Sequence, residues 1–257
     1  MAGPEDYSDH EFYEQFQSIV SELLIGERTS PAGCPRAVLL GGQSGAGKTT
    51  LHRLFQDSFD HDVVIVNGDE YRSRHPRFEQ LSVQYGVDSP AHTAAWAGRM
   101  VEAVVDALSV MGYNLVIEGT LRTSEVPLKT ATLLRSRGYG VSLALMAVKP
   151  EISLVSCQLR YEQMRLAGME PRAIDPAHHR NIVEGIVSNL KTLEESGLFD
   201  AVALYDRSER RLFCSEEGDG SASEALFEIL FGDWTAEETR HVEYLQRRLE
   251  EKRSRSE

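Results

Sequence analysis

Cysteine is scarce in this 257-residue chain: Cys34, Cys157 and Cys214 are odd in number, far apart and without a C-x-x-C pair. That excludes a disulfide framework or a zinc site of the usual spacing, so the thiols are read as free. Long apolar runs are missing too, and none approaches the length of a membrane span. The N-terminal MAGPEDYSDHEF is acidic and has neither the basic nor the apolar region of a signal peptide. The expectation is a cytoplasmic protein. Positive charge is in deficit, with 27 Lys and Arg against 40 Asp and Glu and a net charge of −13. A nucleic-acid partner needs a positive field to displace counterions, and an anionic membrane attracts the same sign, so neither is expected. The histidines lack an H-E-x-x-H pattern, and the adjacent His178 and His179 project in different directions from a helix. There is no internal repeat and no low-complexity linker. A small anionic substrate stays open, provided that a few cations converge locally.

What is present is a phosphate loop. The stretch Val38–Thr50 reads VLLGGQSGAGKTT, in which Gly42, Gln43, Ser44, Gly45, Ala46, Gly47, Lys48 and Thr49 satisfy G-x-x-x-x-G-K-[ST] at every fixed position. Glycines let successive backbone N–H groups turn inward around a phosphate, because no Cβ blocks the required dihedrals. A helix starting near Lys48 adds the positive end of its dipole. Lys48, on a loop expected to face solvent, reaches the β- and γ-phosphates, and the Thr49 hydroxyl is placed for Mg²⁺. Nucleotide triphosphate binding follows, with Mg²⁺ as the accompanying ion.

With 41% hydrophobic residues the chain can bury a substantial core, and its length fits one large α/β domain or two small ones. Ser8-x-x-Glu11 has the capping-box form, and apolar residues at helical spacing predict a helix over 8–25. Residues 26–35 read as a loop. Short apolar strands are expected at 37–40, 63–66, 115–117, 141–148 and 201–205, with 211–214 beside the last. Helices are expected from Lys48 to about 56 and over 91–111, 125–137, 151–167, 177–196 and 222–231. One more follows the Thr235-x-x-Glu238 box. Asn67-Gly68-Asp69 reads as a turn, 76–90 as irregular, and the Pro-bounded 168–176 as a loop. Strands alternating with helices predict a mostly parallel sheet covered on both faces.

In such sheets ligands bind beyond the carboxyl ends of the strands. The phosphate loop follows strand one. Asp69 follows strand two, with Arg72 and Arg74 behind it, and Glu118 follows strand three, with Arg122 and Thr123 behind it. Two carboxylates and several cations at successive strand ends suit phosphoryl transfer: one acid serves Mg²⁺, the other accepts the proton of an attacking hydroxyl. Taken singly, Asp69 could cap a helix and Glu118 could merely close a strand. Glu102 lies off the Trp96–Met100–Val104 face and reads alone as solvated. Arg160 and Arg172 could be surface arginines, or clamps on the transferring phosphate with 168–176 as a lid. Cys157, on a mainly apolar helix, is expected to be buried.

Taken together, VLLGGQSGAGKTT, NGDEYRSRHP, LVIEGTLRT and the RYE at Arg160–Glu162 resemble the zeta toxins of bacterial toxin–antitoxin systems. The likeness runs from DYSDHEF to LFGDW, nearly the whole chain. It implies a single P-loop kinase domain over 1–257, a mostly parallel α/β sheet with added C-terminal helices. The implied reaction is ATP- and Mg²⁺-dependent phosphorylation of the 3′-hydroxyl of the amino-sugar in UDP-N-acetylglucosamine, which blocks cell-wall precursor synthesis. A small helical antitoxin is the implied partner. Carried over by motif, Asp69 is the base and Lys48 the phosphate lysine, within a nucleotide loop that runs to Thr50. Thr49 and Glu118 serve the metal, and Arg160 and Arg172 clamp the γ-phosphate. Asp69, Glu102, Glu118, Arg122 and Thr130 line the sugar-nucleotide side. The lid departs from the family pattern: Pro171-Arg172-Ala173-Ile174-Asp175-Pro176 stands where Ala-Arg-Ala-Thr-Pro is usual, and the stretch from Arg160 is one residue shorter. Two other readings remain at this stage. One is a kinase of the same fold acting on another nucleotide, a coenzyme or an antibiotic. The other is a nucleotide-dependent switch, although the chain has no N-K-x-D.

Overall fold

The computed structural model describes residues 3, 5–25, 34–169, 175–218 and 220–254. Helix α1 (Asp9–Leu23) begins with the expected capping box. The Ser8 hydroxyl accepts from the Glu11 N–H, and the Glu11 carboxylate takes the Ser8 N–H at 2.8 Å. Strand β1 (Arg36–Gly41) runs into the glycine-rich loop and helix α2 (Thr49–Ser58). After β2 (Val64–Asn67) come α3 (Gly68–Tyr71), a 3₁₀ turn over Arg72–Arg74, α4 (Phe78–Tyr85), a 3₁₀ turn over Gly86–Asp88 and α5 (Ser89–His92). Both local expectations here are corrected. Asn67 caps a short helix rather than opening a turn, and most of 76–90 is helical. Pro76 precedes α4, the polar residues Glu79, Gln80, Ser82 and Gln84 lie within it, and Pro90 sits in a first turn where a missing N–H costs nothing.

The remaining elements fall close to expectation. They are α6 (Ala94–Met111), β3 (Leu115–Glu118), α7 (Glu125–Ser136), β4 (Gly140–Met146), α8 (Pro150–Leu166), α9 (Pro176–Glu195), β5 (Val202–Tyr205), β6 (Arg211–Cys214), α10 (Ala222–Phe231) and α11 (Ala236–Ser254). Among the described residues the sheet has six strands in the order β2-β3-β1-β4-β5-β6. All neighbours are parallel except β5 and β6, which form an antiparallel edge. The loop at 26–33 and most of the expected lid, including Arg172, lie outside the described residues.

Alternation along the strands sends side chains into two cores. Ala37, Leu39, Val141, Leu143 and Leu145 face one side, where α1, α6, α7, α9 and α10 contribute Phe12, Trp96, Leu134, Ile186 and Leu226. Val38, Leu40, Ala144 and Met146 face the other, covered by Leu51 of α2, Ile152 and Leu159 of α8 and Val242, Leu245 and Leu249 of α11. The two-sided cover explains why the central strands read as continuous apolar runs.

Register then decides what meets at the strand ends. Glu118 on β3 pairs with Leu40 on β1 and with Asn67 on β2. The ends of these strands are level to within one residue, so the phosphate loop, Glu118 and the residues after Asn67 emerge along one edge of the sheet.

Candidate active site

The loop between β1 and α2 has the form that a bound phosphate requires. Gly45 and Gly47 have φ of 77° and 102°, which L side chains rarely adopt. A Cβ on Gly45 would stand 2.2 Å from the Ser153 carbonyl and 2.5 Å from Cys157 Sγ, so the loop can pack on α8 only if this residue has none. Neither an acidic residue in the first turn nor a side-chain cap closes the N-terminus of α2. Its positive end remains available to an anion.

Lys48 corrects one expectation: it is 9% exposed, not solvent-facing. Its Nζ donates to the Gly42 carbonyl at 2.8 Å and the Gln43 carbonyl at 3.3 Å, and lies 3.8 Å from Glu118 Oε1. Burial pushes the ammonium below the usual lysine range; Glu118 and Asp69 oppose that shift, and Arg160 adds to it. Lys48, Glu118, Asp69 and Arg160, drawn from four separate stretches of sequence, thus share one electrostatic environment. Glu118 also meets His52 of α2, whose Nε2 stands 2.7 Å from Oε2, although not aligned for a hydrogen bond.

Asp69 sits in the first turn of α3. Asn67 is the cap, with its side-chain oxygen accepting the Asp69 N–H at 3.0 Å, so the Asp69 carboxylate is not consumed in capping. It is about half exposed and accepts from Arg72 Nε at 2.9 Å. Arg72 is itself anchored to the Pro90 carbonyl and to Thr93 Oγ1. Arg74, by contrast, pairs with Glu22 of α1 and points away from this chemistry.

The residues implied for the sugar side lie on adjoining elements. Glu102 of α6 pairs with Lys129 of α7 at 2.9 Å, beside Thr130, whose hydroxyl donates to the Val126 carbonyl at 3.0 Å. Arg122 is exposed just after β3, and its backbone is held by Asn189 Nδ2 of α9 at 2.9 Å. Thr49 and Arg160 are exposed, while Thr50 and Ser44 are partly buried. Cys157 is buried under the loop as expected, and burial pushes its thiol up. His179 is buried and His178 is not, in line with their different directions on the helix.

Sequence reading missed Gln43 and Arg207 as supports of the loop. Gln43, fully buried, donates to the Val148 carbonyl at 2.7 Å and to Ser153 Oγ at 3.3 Å, which ties the loop to the end of β4 and to α8. Arg207, just after β5, donates through Nε to the Ala46 carbonyl at 3.0 Å and through Nη2 to the Gly45 carbonyl. Nothing local marks it, because it lies 161 residues from its partner. A cavity of about 660 Å³ bounded by Val187, Phe213 and Phe227 shares no residue with this group. Its lining includes no residue of the phosphate loop.

A mostly parallel sheet whose central strand opens into such a loop, with a carboxylate ending the adjacent strand, defines a P-loop kinase fold. The chain belongs to the Zeta toxin family, whose sequence model matches residues 22–218. It is 44% identical over 248 residues to Toxin PezT of Streptococcus pneumoniae serotype 4, covering 96% of this chain and 97% of that one. It is 36% identical over 218 residues to Toxin zeta of Streptococcus pyogenes, covering 84% and 75%. A solved structure from the PezAT chromosomal toxin–antitoxin system of S. pneumoniae superposes with a TM-score of 0.88 at 42% identity, covering 97% and 98% of the two chains. The AvrRxo1-ORF1:-ORF2 complex with ATP shares the fold at a TM-score of 0.59 and 13% identity, covering 97% and 87%. Among the described residues, no helix is long and apolar enough to cross a membrane.

Proposed function

We propose that this protein is an ATP-dependent kinase that phosphorylates the 3′-hydroxyl of the amino-sugar of UDP-N-acetylglucosamine. The observation that carries the reading is the level strand ends: Lys48 Nζ is 3.8 Å from Glu118, and Asp69 emerges from the strand that pairs beside it. A phosphate cradle and a carboxylate held at the same sheet edge are what in-line transfer to a hydroxyl needs.

In this reading the loop over Gly42–Thr50 binds the triphosphate, and Lys48 leaves the Gly42 and Gln43 carbonyls to meet the β- and γ-phosphates. Asp69 accepts the proton of the acceptor hydroxyl as its oxygen bonds to the γ-phosphorus and the bond to the departing ADP breaks. Arg160, and Arg172 beyond the described residues, neutralise charge on the transferring group. Magnesium, when bound, would supply further neutralisation. Thr49 and Glu118 would hold it, few protein ligands being usual for this ion beside phosphates. Glu102, Arg122, Thr130 and Glu118 hold the sugar nucleotide, with Arg122 able to offer a bidentate fork to its diphosphate. The relatives' toxin names and the PezAT toxin–antitoxin system support a toxin restrained by an antitoxin; a small helical antitoxin and action in the cytoplasm complete the proposal.

The test is purified protein with ATP and Mg²⁺ and a panel of UDP-sugars, free sugars, nucleosides, NAD and aminoglycosides. UDP-N-acetylglucosamine is expected to stimulate ADP release and to gain one phosphate by mass. Free N-acetylglucosamine is expected to react poorly, because binding of the UDP part positions the hydroxyl. Strong turnover of an acceptor that lacks a nucleotide diphosphate, with none of UDP-sugars, would sink the acceptor assignment and keep the kinase.

A further inference from the structure

Arg207 is a partly buried guanidinium. Among the described residues no carboxylate pairs with it; its neighbour Asp206 is engaged by Arg210. Its donors go instead to the Ala46 carbonyl at 3.0 Å, the Gly45 carbonyl, Ser156 Oγ at 2.9 Å and His241 Nε2 at 3.4 Å. The stem packs against the loop as well, since a Cβ on Gly47 would meet Arg207 Cγ at 3.5 Å. Taking a cation out of water is costly unless hydrogen bonds or a counter-charge offset it. Here burial pushes the Arg207 guanidinium below the usual arginine range, with Cys157 opposing. A hydrophobic residue or an Arg–carboxylate pair would tether the β5–β6 turn at less cost, so the charge calls for another use.

Peptide geometry supplies one. The peptide group is planar and trans, so its C=O and N–H point to opposite sides. The Gly45 carbonyl faces Arg207, and the Ala46 N–H on the other side of that peptide donates to the Gln43 carbonyl at 3.1 Å. The Ala46 carbonyl faces Arg207 next, and this turns the Gly47 N–H toward the inside of the loop. Two successive peptides are therefore fixed from outside by one planar fork, a task for which the two donors of arginine suit better than the single head of lysine.

We propose that Arg207 is a positioning residue of the phosphate loop: it holds the Ala46–Gly47 peptide with its N–H aimed at the bound phosphate and sets an unneutralised positive charge behind it. This role rests on the nucleotide-binding reading of the same loop. It acts through the backbone of Gly45–Gly47, and no contact between Arg207 and a substrate is required.

The experiment compares the wild-type chain with Arg207→Met and Arg207→Lys. Amide exchange of the 42–49 segment is followed without nucleotide, and ATP and inorganic tripolyphosphate affinities are measured at a temperature where each variant is folded. Arg207→Met is expected to speed exchange of the loop and to weaken both anions on the order of 10–100-fold, the range of a lost charge-assisted hydrogen bond or two. Its effect should fall on the KM for ATP more than on kcat. Arg207→Lys keeps the charge without the fork, so it should recover part of the anion affinity and little of the loop protection. If Arg207→Met does not fold, the lysine variant alone still decides, since wild-type exchange and wild-type affinity in it overturn the proposal. Unchanged loop exchange with only a lower Tm likewise reduces Arg207 to a structural tie. Faster exchange in Arg207→Met, together with no ATP or tripolyphosphate binding by the wild type, would instead remove the nucleotide reading and leave the hold on the loop standing.

Discussion

Lys48 shows how a residue can be poised without being exposed. Its ammonium is satisfied by two loop carbonyls and a nearby carboxylate, and burial presses its affinity for a proton down. A phosphate arriving at the loop offers a stronger partner than a neutral carbonyl. Lys48→Met keeps most of the stem and removes the charge. We expect nucleotide affinity and transfer to collapse while the fold persists, because relief of the cation's desolvation offsets the contacts that the Gly42 and Gln43 carbonyls and Glu118 lose. Normal transfer by this variant would remove the central assignment. Asp69 allows geometry and charge to be separated. Asp69→Asn is nearly isosteric but cannot take a proton, so turnover should fall by about 10²–10⁴ with ATP binding kept. Arg72 holds that carboxylate at 2.9 Å, so Arg72→Ala should slow the wild-type enzyme and add little to Asp69→Asn, a non-additivity expected of residues acting as one unit. Lost ATP binding with normal turnover per bound ATP in Asp69→Asn would mean that another group is the base.

At the scale of elements, the phosphate loop and α8 form one packed unit. Gly45 touches Ser153 and Cys157 of α8, Gln43 reaches Ser153, and Ser153 Oγ meets His179 Nε2 of α9 at 2.9 Å. A methyl group on Gly45 has nowhere to go, and the positive φ adds strain. Gly45→Ala should therefore lower both Tm and ATP affinity. Gly98 in α6 is the contrast: it is exposed, and a Cβ there meets nothing within 4 Å. Gly98→Ala should raise stability by about 0.5–1 kcal/mol through reduced backbone entropy of the unfolded chain. Thermal melts and an ATP titration of the two variants check the pair. Equal effects would mean that the loop is not packed on α8 as described.

Across the whole molecule, three histidines on different elements lose water on folding: His75 after β2 and His179 in α9 are buried, and His241 in α11 is partly buried. Burial holds each below the ordinary value of 6.5. In the unfolded chain each takes up a proton near 6.5, whereas the folded chain resists until lower pH. The unfolded state therefore binds more protons in that window, and stability declines as pH falls from 6.5 through the lower folded values. Denaturant midpoints measured at pH 7.5, 6.5 and 5.5 should fall in that order. His179→Gln, which retains a polar partner for Ser153, should soften the decline. A midpoint that rises toward pH 5.5 would show that relief of the −13 net charge outweighs the histidines.

The sequence alone determined the parts whose signals are local. The phosphate loop is legible because its glycines and lysine must be contiguous, the capped starts of α1 and α11 because a capping box spans four residues, and the central strands because cover on both faces makes them uniformly apolar. The antiparallel partner of β5 was legible for the same reason of proximity. The segment after β2 was misread, since short helices without a long periodic face leave little pattern between prolines. Tertiary structure decided the rest. The strand register that levels Leu40, Asn67 and Glu118 is a property of pairing between strands, not of any one of them. The burial of Lys48 depends on Glu118 and on the turn of its own loop. Arg207 joins Gly45 and Ala46 across 162 and 161 residues of chain. An arginine after a strand reads as one more surface charge until folding removes its water and leaves it two backbone carbonyls to bind.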